Sequence, residues 1–560
     1  MSALGAVILS ITLSVGPETG ASSGAGPFDA AALVPPDVTL FLQAEDAASI
    51  RMELADRPMR ELFRQLLTTG EAVRAWRRLA AAAGVEDEAL FDVWLGRRFT
   101  FVMRPADETP DWALICEVDP KPAREVLRRL NPRRMAPRHQ RPVSELPEHE
   151  LLIASEGSTY FIGPTTPGRL FDDLLASVAG DSRPQETLAD DPAMVQARSL
   201  GAGEVGLFVR HELPLGGFSA FVINVDGERI LLHQAGRYEN PPFQRPVTEL
   251  AWDAAPLEAF RDKALLAVAE PTDIGGGPLE VFIEATLETP LLSESIRRNL
   301  DRRRLFVVGE VEGRQEEQGV DLLLPTLSIV IEIKDPQGAE LELDEQVLNC
   351  AEAISRLAQR SFEAASTEEK EARAGVPALR VPSIDTFHPG EMRHIDLGPV
   401  MQRFGPDHPI LRSVTLDWSV ASGPLGNYCV VATHPEQLRR TIEALQSPCG
   451  KATHREKITS AGFMDGRRVA RQLRSFSEQA ELLAETDGQA VASFRETMLL
   501  FSELAAGIER CSWKLRRPSE KEVRLEARII LADPESAGAP RPIEQGAAPG
   551  TAPRGRSPDN

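Results

Sequence analysis

Apolar residues in this chain keep two beats, and the points where one gives way to the other outline its elements. Short runs that alternate or stay apolar predict strands at 37–43 behind Pro35-Pro36, at 98–103 and 112–118, and on both sides of Glu156-Gly157. Another is expected at 206–210, and 221–225 with 229–234 straddle Asp226-Gly227, a two-residue hairpin signal. Helical spacing covers 59–67, 71–83 and 86–95, the last two stopped by Gly84 and Gly96. Further helices are expected at Asp119-Pro120, Pro167 and Asp191-Pro192. At the two Asp-Pro positions an aspartate can accept from the orphan amides of a first turn, and at all three proline has no donor to waste. Residues 131–147, rich in Pro and Arg, read as a surface loop.

A Pro-rich break at 240–246 separates a second region of the same character. Strands are expected at 264–269, 280–286, 303–308, up to Asp335-Pro336, and at 414–420 and 428–433. Helices are expected over 343–365, from Pro435, and over 467–485 and 489–510, before a closing hairpin of 511–516 and 522–531. The expected organisation is a signal-like segment and linker (1–27), one lobe (28–245), a second lobe (246–533) and a disordered Pro/Gly/Ala tail (534–560).

The two regions echo each other. Tyr160 to Leu170 aligns without a gap on Tyr428 to Leu438, at an offset of 428 − 160 = 268 residues. Arg303-Arg-Leu-Phe-Val-Val308 parallels Arg97-Arg-Phe-Thr-Phe-Val102, and Asp335-Pro336 parallels Asp119-Pro120, in the same order. A strand-helix unit that cannot bury its apolar face alone, repeated in order, predicts an internal duplication. The fold class expected is α+β: two similar lobes, each a mainly antiparallel sheet covered by helices on one face.

Composition narrows the function more by exclusion than by assignment. Hydrophobic content of 42% and charged content of 26% are those of a globular protein. The net charge of −22 counts against nucleic acid and anionic membranes, which select basic surfaces. Pairs of arginines recur without interleaved aromatics and read as ion-paired surface. Five cysteines without C-x-x-C spacing fit neither a disulfide scaffold nor a structural zinc site. Cys116 and Cys429 fall in apolar strands as buried thiols, and a Cys429–Cys449 bond stays open in an oxidising compartment. The apolar run 4–15, too short to span a bilayer, followed by small residues, predicts a secretory signal cleaved near Ala21, although no Lys or Arg precedes it. The expected location is extracytoplasmic, periplasmic or secreted, with no transmembrane anchor after signal removal; the alternative is cytoplasmic.

Candidate chemistry is sparse. Gly201-Ala-Gly203-Glu-Val-Gly206 matches G-x-G-x-x-G, but a helix is expected before it and a strand after, the inverse of a dinucleotide site. His388, Glu391 and His394 are the closest approach to a metal set, at i, i+3 and i+6 around Pro389-Gly390, which favours a polar loop. His211-Glu212 and His149-Glu150 complete no metallopeptidase motif. Ser219 in Gly217-Phe-Ser-Ala-Phe221 lacks the second glycine of a nucleophile elbow, and Ser155 and Ser158 flank a turn. His434, just before Pro435, reads as a helix cap. No catalytic, cofactor-binding or metal-binding residue is therefore assigned, and no cofactor is expected.

Leu33-Val-Pro-Pro-Asp-Val-Thr-Leu-Phe41 resembles the start of the mature chain in a family of large uncharacterised exported proteins of planctomycete-type bacteria. Glu186-Thr-Leu-Ala-Asp-Asp-Pro192, preceding Gly206-Leu-Phe-Val209, resembles a second marker of that family. The resemblance spans most of 33–533. It implies an exported, two-lobed α+β protein with no assigned activity and supplies no catalytic residues. The function expected is non-catalytic binding of a protein or envelope partner, the alternative an extracytoplasmic hydrolase with a site between the lobes.

Overall fold

The computed structural model describes residues 27–54, 71–105, 111–165, 168–179, 186–211, 216–226, 228–240, 250–252, 255–271, 298–315, 320–364, 385–387, 392–398, 415–447, 456–479 and 488–533. The signal-like run, the helix expected at 59–67, the strand expected at 280–286, Pro167, His388, Glu391 and the C-terminal tail lie outside these residues.

In the first half the strands are Leu40–Ala44 (β1), Phe99–Arg104 (β2), Asp111–Glu117 (β3), Arg133–Arg134 (β4), Val143–Leu146 (β5), Leu151–Glu156 (β6), Thr159–Pro164 (β7), Val205–Arg210 (β8), Phe218–Asp226 (β9) and Arg229–Arg237 (β10). Its helices are Ala47–Leu54 (α1), Glu71–Ala83 (α2), Asp87–Trp94 (α3), Pro120–Arg129 (α4), Leu170–Ala179 (α5) and Pro192–Arg198 (α6). The stretch expected as a loop at 131–147 thus contains β4 and β5, short strands in which Arg133 and Arg134 are exposed.

The second half follows with Leu250–Trp252 (β11), Ala255–Glu258 (α7), Leu266–Pro271 (β12), Leu300–Gln315 (β13), Val320–Ile333 (β14), Pro336–Ala364 (α8), Asp385–Phe387 (β15), Met392–Asp396 (β16), Thr415–Gly423 (β17) and Gly426–Ala432 (β18). It ends with Pro435–Gln446 (α9), Glu456–Ile458 (β19), Ser460–Asp465 (β20), Gly466–Gln479 (α10), Gly488–Ala506 (α11), Ile508–Ser519 (β21) and Glu522–Leu531 (β22). Helix α8 begins seven residues before the expected 343, because Asp335 caps it: its carboxylate accepts from the Gln337 amide at 3.1 Å. Asp119 caps α4 in the same way through Lys121 (3.1 Å), and Asp191 caps α6 through Ala193 (2.7 Å).

Hydrogen-bonded pairs link twenty of the described strands into one antiparallel sheet. From one edge the order is β4-β5-β6-β7-β3-β2-β1-β8-β9-β10. It continues through β22-β21-β20-β12-β13-β14-β18-β17-β16-β15. Strands β11 and β19 form a separate pair. The protein is therefore a mixed α+β structure built on a large antiparallel sheet.

Helices cover both faces rather than the one expected. In β1, Leu40, Leu42 and Ala44 face α2, α3 and α4, whose Leu90, Phe91, Trp94, Ala123 and Val126 share their core. Phe41 points the other way, toward Leu170, Phe171, Leu174 and Leu175 of α5. The sequence carries the reason: 40–42 and 99–102 are continuous apolar or nearly apolar runs, the pattern of strands buried on both sides. In the second half α9 lies over Tyr428, Val430 and Ala432, while α8 lies over Ile331, Cys429 and Trp418.

This facing separates the two tyrosines of the echo. Tyr160 packs edge-on against Trp94 (5.6 Å), in a core that continues through the partly buried Met464 of β20. Tyr428 shares the opposite core with Phe463, the neighbour of Met464. Adjacent residues of a strand point to opposite faces, so the gapless alignment pairs residues that differ in side of the sheet.

The two halves meet in the middle. Nine residues of β10 pair with nine of β22, from Arg229 opposite Ile530 to Arg237 opposite Glu522. The ladder is extended at its ends by Leu531 N–H to Glu228 O (2.8 Å) and Tyr238 N–H to Lys521 O (2.9 Å). On one face Ile230 and Ile529 close the core; on the other Arg524, Glu526 and Arg528 are exposed.

Candidate functional site

Three polar clusters stand out against this apolar frame, and none spans the two halves through side chains. The first ties α5 to the sheet. Asp111, at the start of β3, accepts from the Leu170 amide at 2.9 Å, so a buried carboxylate sits at the electropositive end of α5. Gly168 permits this approach, since a Cβ there would lie 2.0 Å from Asp111 Oδ1. Arg104 bridges Asp111 (3.0 Å), Asp37 (3.0 Å) and Asp173 (2.6 Å). Burial alone would weaken the guanidinium charge, but hydrogen bonds to the three aspartates outweigh it and raise the Arg104 pKa.

The second cluster lies beside the seam. Ser219, the second residue of β9 and buried, is bonded to His211 Nε2 at 2.8 Å and to the Tyr238 hydroxyl at 3.3 Å. The imidazole and phenol rings stack at 5.5 Å. Burial lowers the His211 pKa, which favours the neutral ring; in its Nδ1–H tautomer Nε2 can accept the serine proton. Gly217 shapes the approach to β9: its φ is +85°, and a Cβ would meet Arg237 O at 1.9 Å. A Ser–His pair can generate a nucleophile. Here no carboxylate bonds to His211 among the described residues, and the hydroxyl is enclosed in a ladder.

The third cluster lies beneath the first turn of α9. His394 on β16 and Asp417 on β17 are direct cross-strand partners, joined at 2.7 Å between Nδ1 and Oδ1. Asp417 is 1% exposed and takes a second hydrogen bond from the Thr415 hydroxyl. Burial raises its pKa, against the pull of Thr415 and His394. His434 caps α9, its Nδ1 accepting from the Glu436 amide at 3.2 Å, and burial lowers its pKa. The two histidines therefore hold opposite tautomers when neutral: His394 carries its proton on Nδ1 and His434 on Nε2. The Asp–His pair orients one imidazole as a proton acceptor would require, but no hydroxyl or thiol is bonded to its other nitrogen among the described residues.

The residues weighed in the sequence are dispersed. His394 joins a carboxylate and a threonine, while His388 and Glu391 lie outside the described residues. Among the described residues no group of three or more His, Cys, Asp or Glu side chains is placed to hold a metal ion. Gly201 and Gly203 lie between α6 and β8, and Gly206 is the second residue of β8. Gly206 serves packing: a Cβ there would meet Pro27 O at 2.3 Å. His149 ends a short 3-10 turn, and Gly157 (φ +62°) forms the turn between Ser155 and Ser158. Cys116 and Cys429 are buried free thiols; burial pushes the Cys429 pKa up to about 12 and raises that of Cys116 too. Cys449, the partner left open for Cys429, lies outside the described residues. The arginine pairs are mostly ion-paired, for example Arg98 with Glu45 (2.7 Å) and Arg303 with Glu332 (2.8 Å). Linear motifs could not reveal the Ser219–His211 and His394–Asp417 pairs, which are set by strand register.

No family model, curated protein or solved structure matches the chain. No helix among the described residues is long and apolar enough to cross a membrane.

The Arg104 cluster yields a stability prediction. Arg104→Met leaves the buried Asp111 carboxylate without its cation and should cost about 3–5 kcal/mol in chemical denaturation, the range for breaking one side of a buried pair. Adding Asp111→Asn, which keeps an acceptor for Leu170, should recover part of that loss. A loss below about 1 kcal/mol for the single variant would show that the cluster is only surface decoration.

Proposed function

We propose that the chain is an exported, non-catalytic protein made of two matching halves, and that it acts as a platform for a protein partner in the cell envelope. The observation that carries this reading is the β10–β22 ladder. Two lobes enclose a site when a cleft separates them. These halves share nine paired residues of backbone, and the face left open at their junction carries Arg524, Glu526 and Arg528. A hydrolytic site between the halves has correspondingly little support. Each pair of polar groups that might do chemistry has a structural role nearby: Ser219 is bonded within a ladder, and His394 anchors two strands.

The matching of the halves is supported by strand order. Counted along each half without β11 and β19, both read 4-5-6-7-3-2-1-8-9-10 from outer edge to seam. In both, an Asp-Pro-capped helix follows the third strand and another helix follows the seventh. Facing then favours an offset of 429 − 160 = 269 in the seventh strand, one more than the gapless echo, since Tyr160 and Cys429 both lie on the side of the Asp-Pro-capped helix. Export rests on the apolar run 4–15 and on the resemblance to exported planctomycete-type proteins.

Two measurements test the reading. A fluorophosphonate probe, which labels activated serines, should leave the native protein unmodified; labelling that disappears in Ser219→Ala would establish an enzyme instead. Sequencing the N-terminus of protein from its native cells should give a start near Ala21, and an intact start at Met1 or Ser2 would rule out export.

A further inference from the structure

We propose that α9 is a pH-operated latch: protonation of His434 removes the acceptor that closes the first turn of the helix and frees the helix from the sheet. The two halves attach their corresponding helices differently. Helix α5 sits on Phe161, Ala113 and Ile115 through Leu170, Phe171, Leu174 and Leu175, and its first turn is held by the Asp111 carboxylate, which Arg104 pairs; no histidine takes part in that attachment. Helix α9 has apolar anchors in Leu438, Ala444 and Leu445, but between them it rests on a polar shelf. Gln437 accepts from the Thr326 hydroxyl (3.1 Å), and Thr441 bonds to Ser328 (2.9 Å), all four residues being buried. A helix held by exchangeable hydrogen bonds has a smaller hydrophobic barrier to opening than one held by leucine and phenylalanine.

The cap is where protons enter. A neutral His434 offers the Nδ1 lone pair to the Glu436 amide; a protonated imidazole has two donors and no acceptor. It would also place a positive charge at the positive end of the helix dipole. Acting the other way is Asp417 on β17, whose charge favours the protonated ring, together with Glu436; Arg439 and Arg440 on the helix itself oppose protonation. His394 lies against Asp417 and shares its charge. Strand β18 contributes Tyr428, bonded to Leu425 O, and Cys429, on the opposite face. The carboxylates of Glu332 on β14 and Glu310 on β13 are paired with Arg303 and Arg471.

The sign follows from burial. His434 is held below its ordinary pKa while α9 is docked, so the released helix binds a proton more readily. Its contribution to docking is complete above about pH 6.5 and is lost as pH falls from there. Asp417, held above its ordinary range, works in the opposite sense: acidification relieves the cost of its buried charge. That protonation also removes the attraction that partly steadies a charged His434. Opening would bare Asp417, Ser328 and Thr326 to a partner.

Hydrogen exchange read by mass spectrometry on the full chain tests this, with α5 as the internal reference. Between about pH 7.5 and about pH 5, after correction for intrinsic rates, protection of α9 amides should fall about tenfold relative to α5, the size of losing one cap. His434→Asn, which caps without titrating, should abolish the difference. Asp417→Asn should enlarge it at intermediate pH. An α9/α5 ratio that does not change with pH in the native protein overturns the proposal, as does the same pH dependence in His434→Asn.

Discussion

The ladder between β10 and β22 is the interaction on which the rest of this structure depends. Without it, each half would end in a strand of nine or ten residues with an open row of amides and carbonyls, the kind of edge that pairs indiscriminately. With it, both of those edges become interior, and among the described residues the large sheet ends at β4, two exposed arginines long, and at the three-residue β15. Short and charged edges are how large sheets avoid further pairing. A junction made of backbone hydrogen bonds fixes the register of the two halves along nine residue pairs.

Around that axis the two halves use a common frame and furnish it differently. Both wrap the sheet with helices on two faces, and both open the helix after the third strand with an Asp-Pro cap. The first half fixes the helix after its seventh strand by burying aromatic and aliphatic side chains and by clamping Asp111 with Arg104. The second half uses a histidine cap and a polar shelf at the same stage of the chain. Apolar contact and an ion-paired carboxylate hold one helix, while a histidine cap and buried hydroxyls join the apolar anchors of the other.

Much of the local structure was legible in the sequence because it is set by neighbours. The β9–β10 hairpin, the Asp-Pro caps and His434 as a cap all depend on residues a few positions apart. What could not be read depends on register between distant segments. Arg229 and Ile530 pair across 530 − 229 = 301 residues, and nothing in either strand names its partner. His394 meets Asp417 only because β16 and β17 align as they do, and Ser219 meets His211 across a turn built on Gly217. The echo through Tyr160 and Tyr428 aligns residues that lie on opposite faces of the sheet, because matching residue types ignores the period-two rule that decides which side is buried. The expectation of one covered face fails similarly: continuous apolar runs such as 40–42 signal two buried faces, where strict alternation would signal one.

Native-state hydrogen exchange of the whole protein, followed strand by strand, tests the central claim most directly. If the ladder unites the halves into one cooperative body, amides of 229–237 and 522–530 exchange only through global unfolding, with the same free energy as the interior strands β1 and β13. Seam amides that exchange well before those strands, or halves that lose protection in separate transitions, would contradict this: the halves would then be independent domains in contact, and the ladder would not govern the structure.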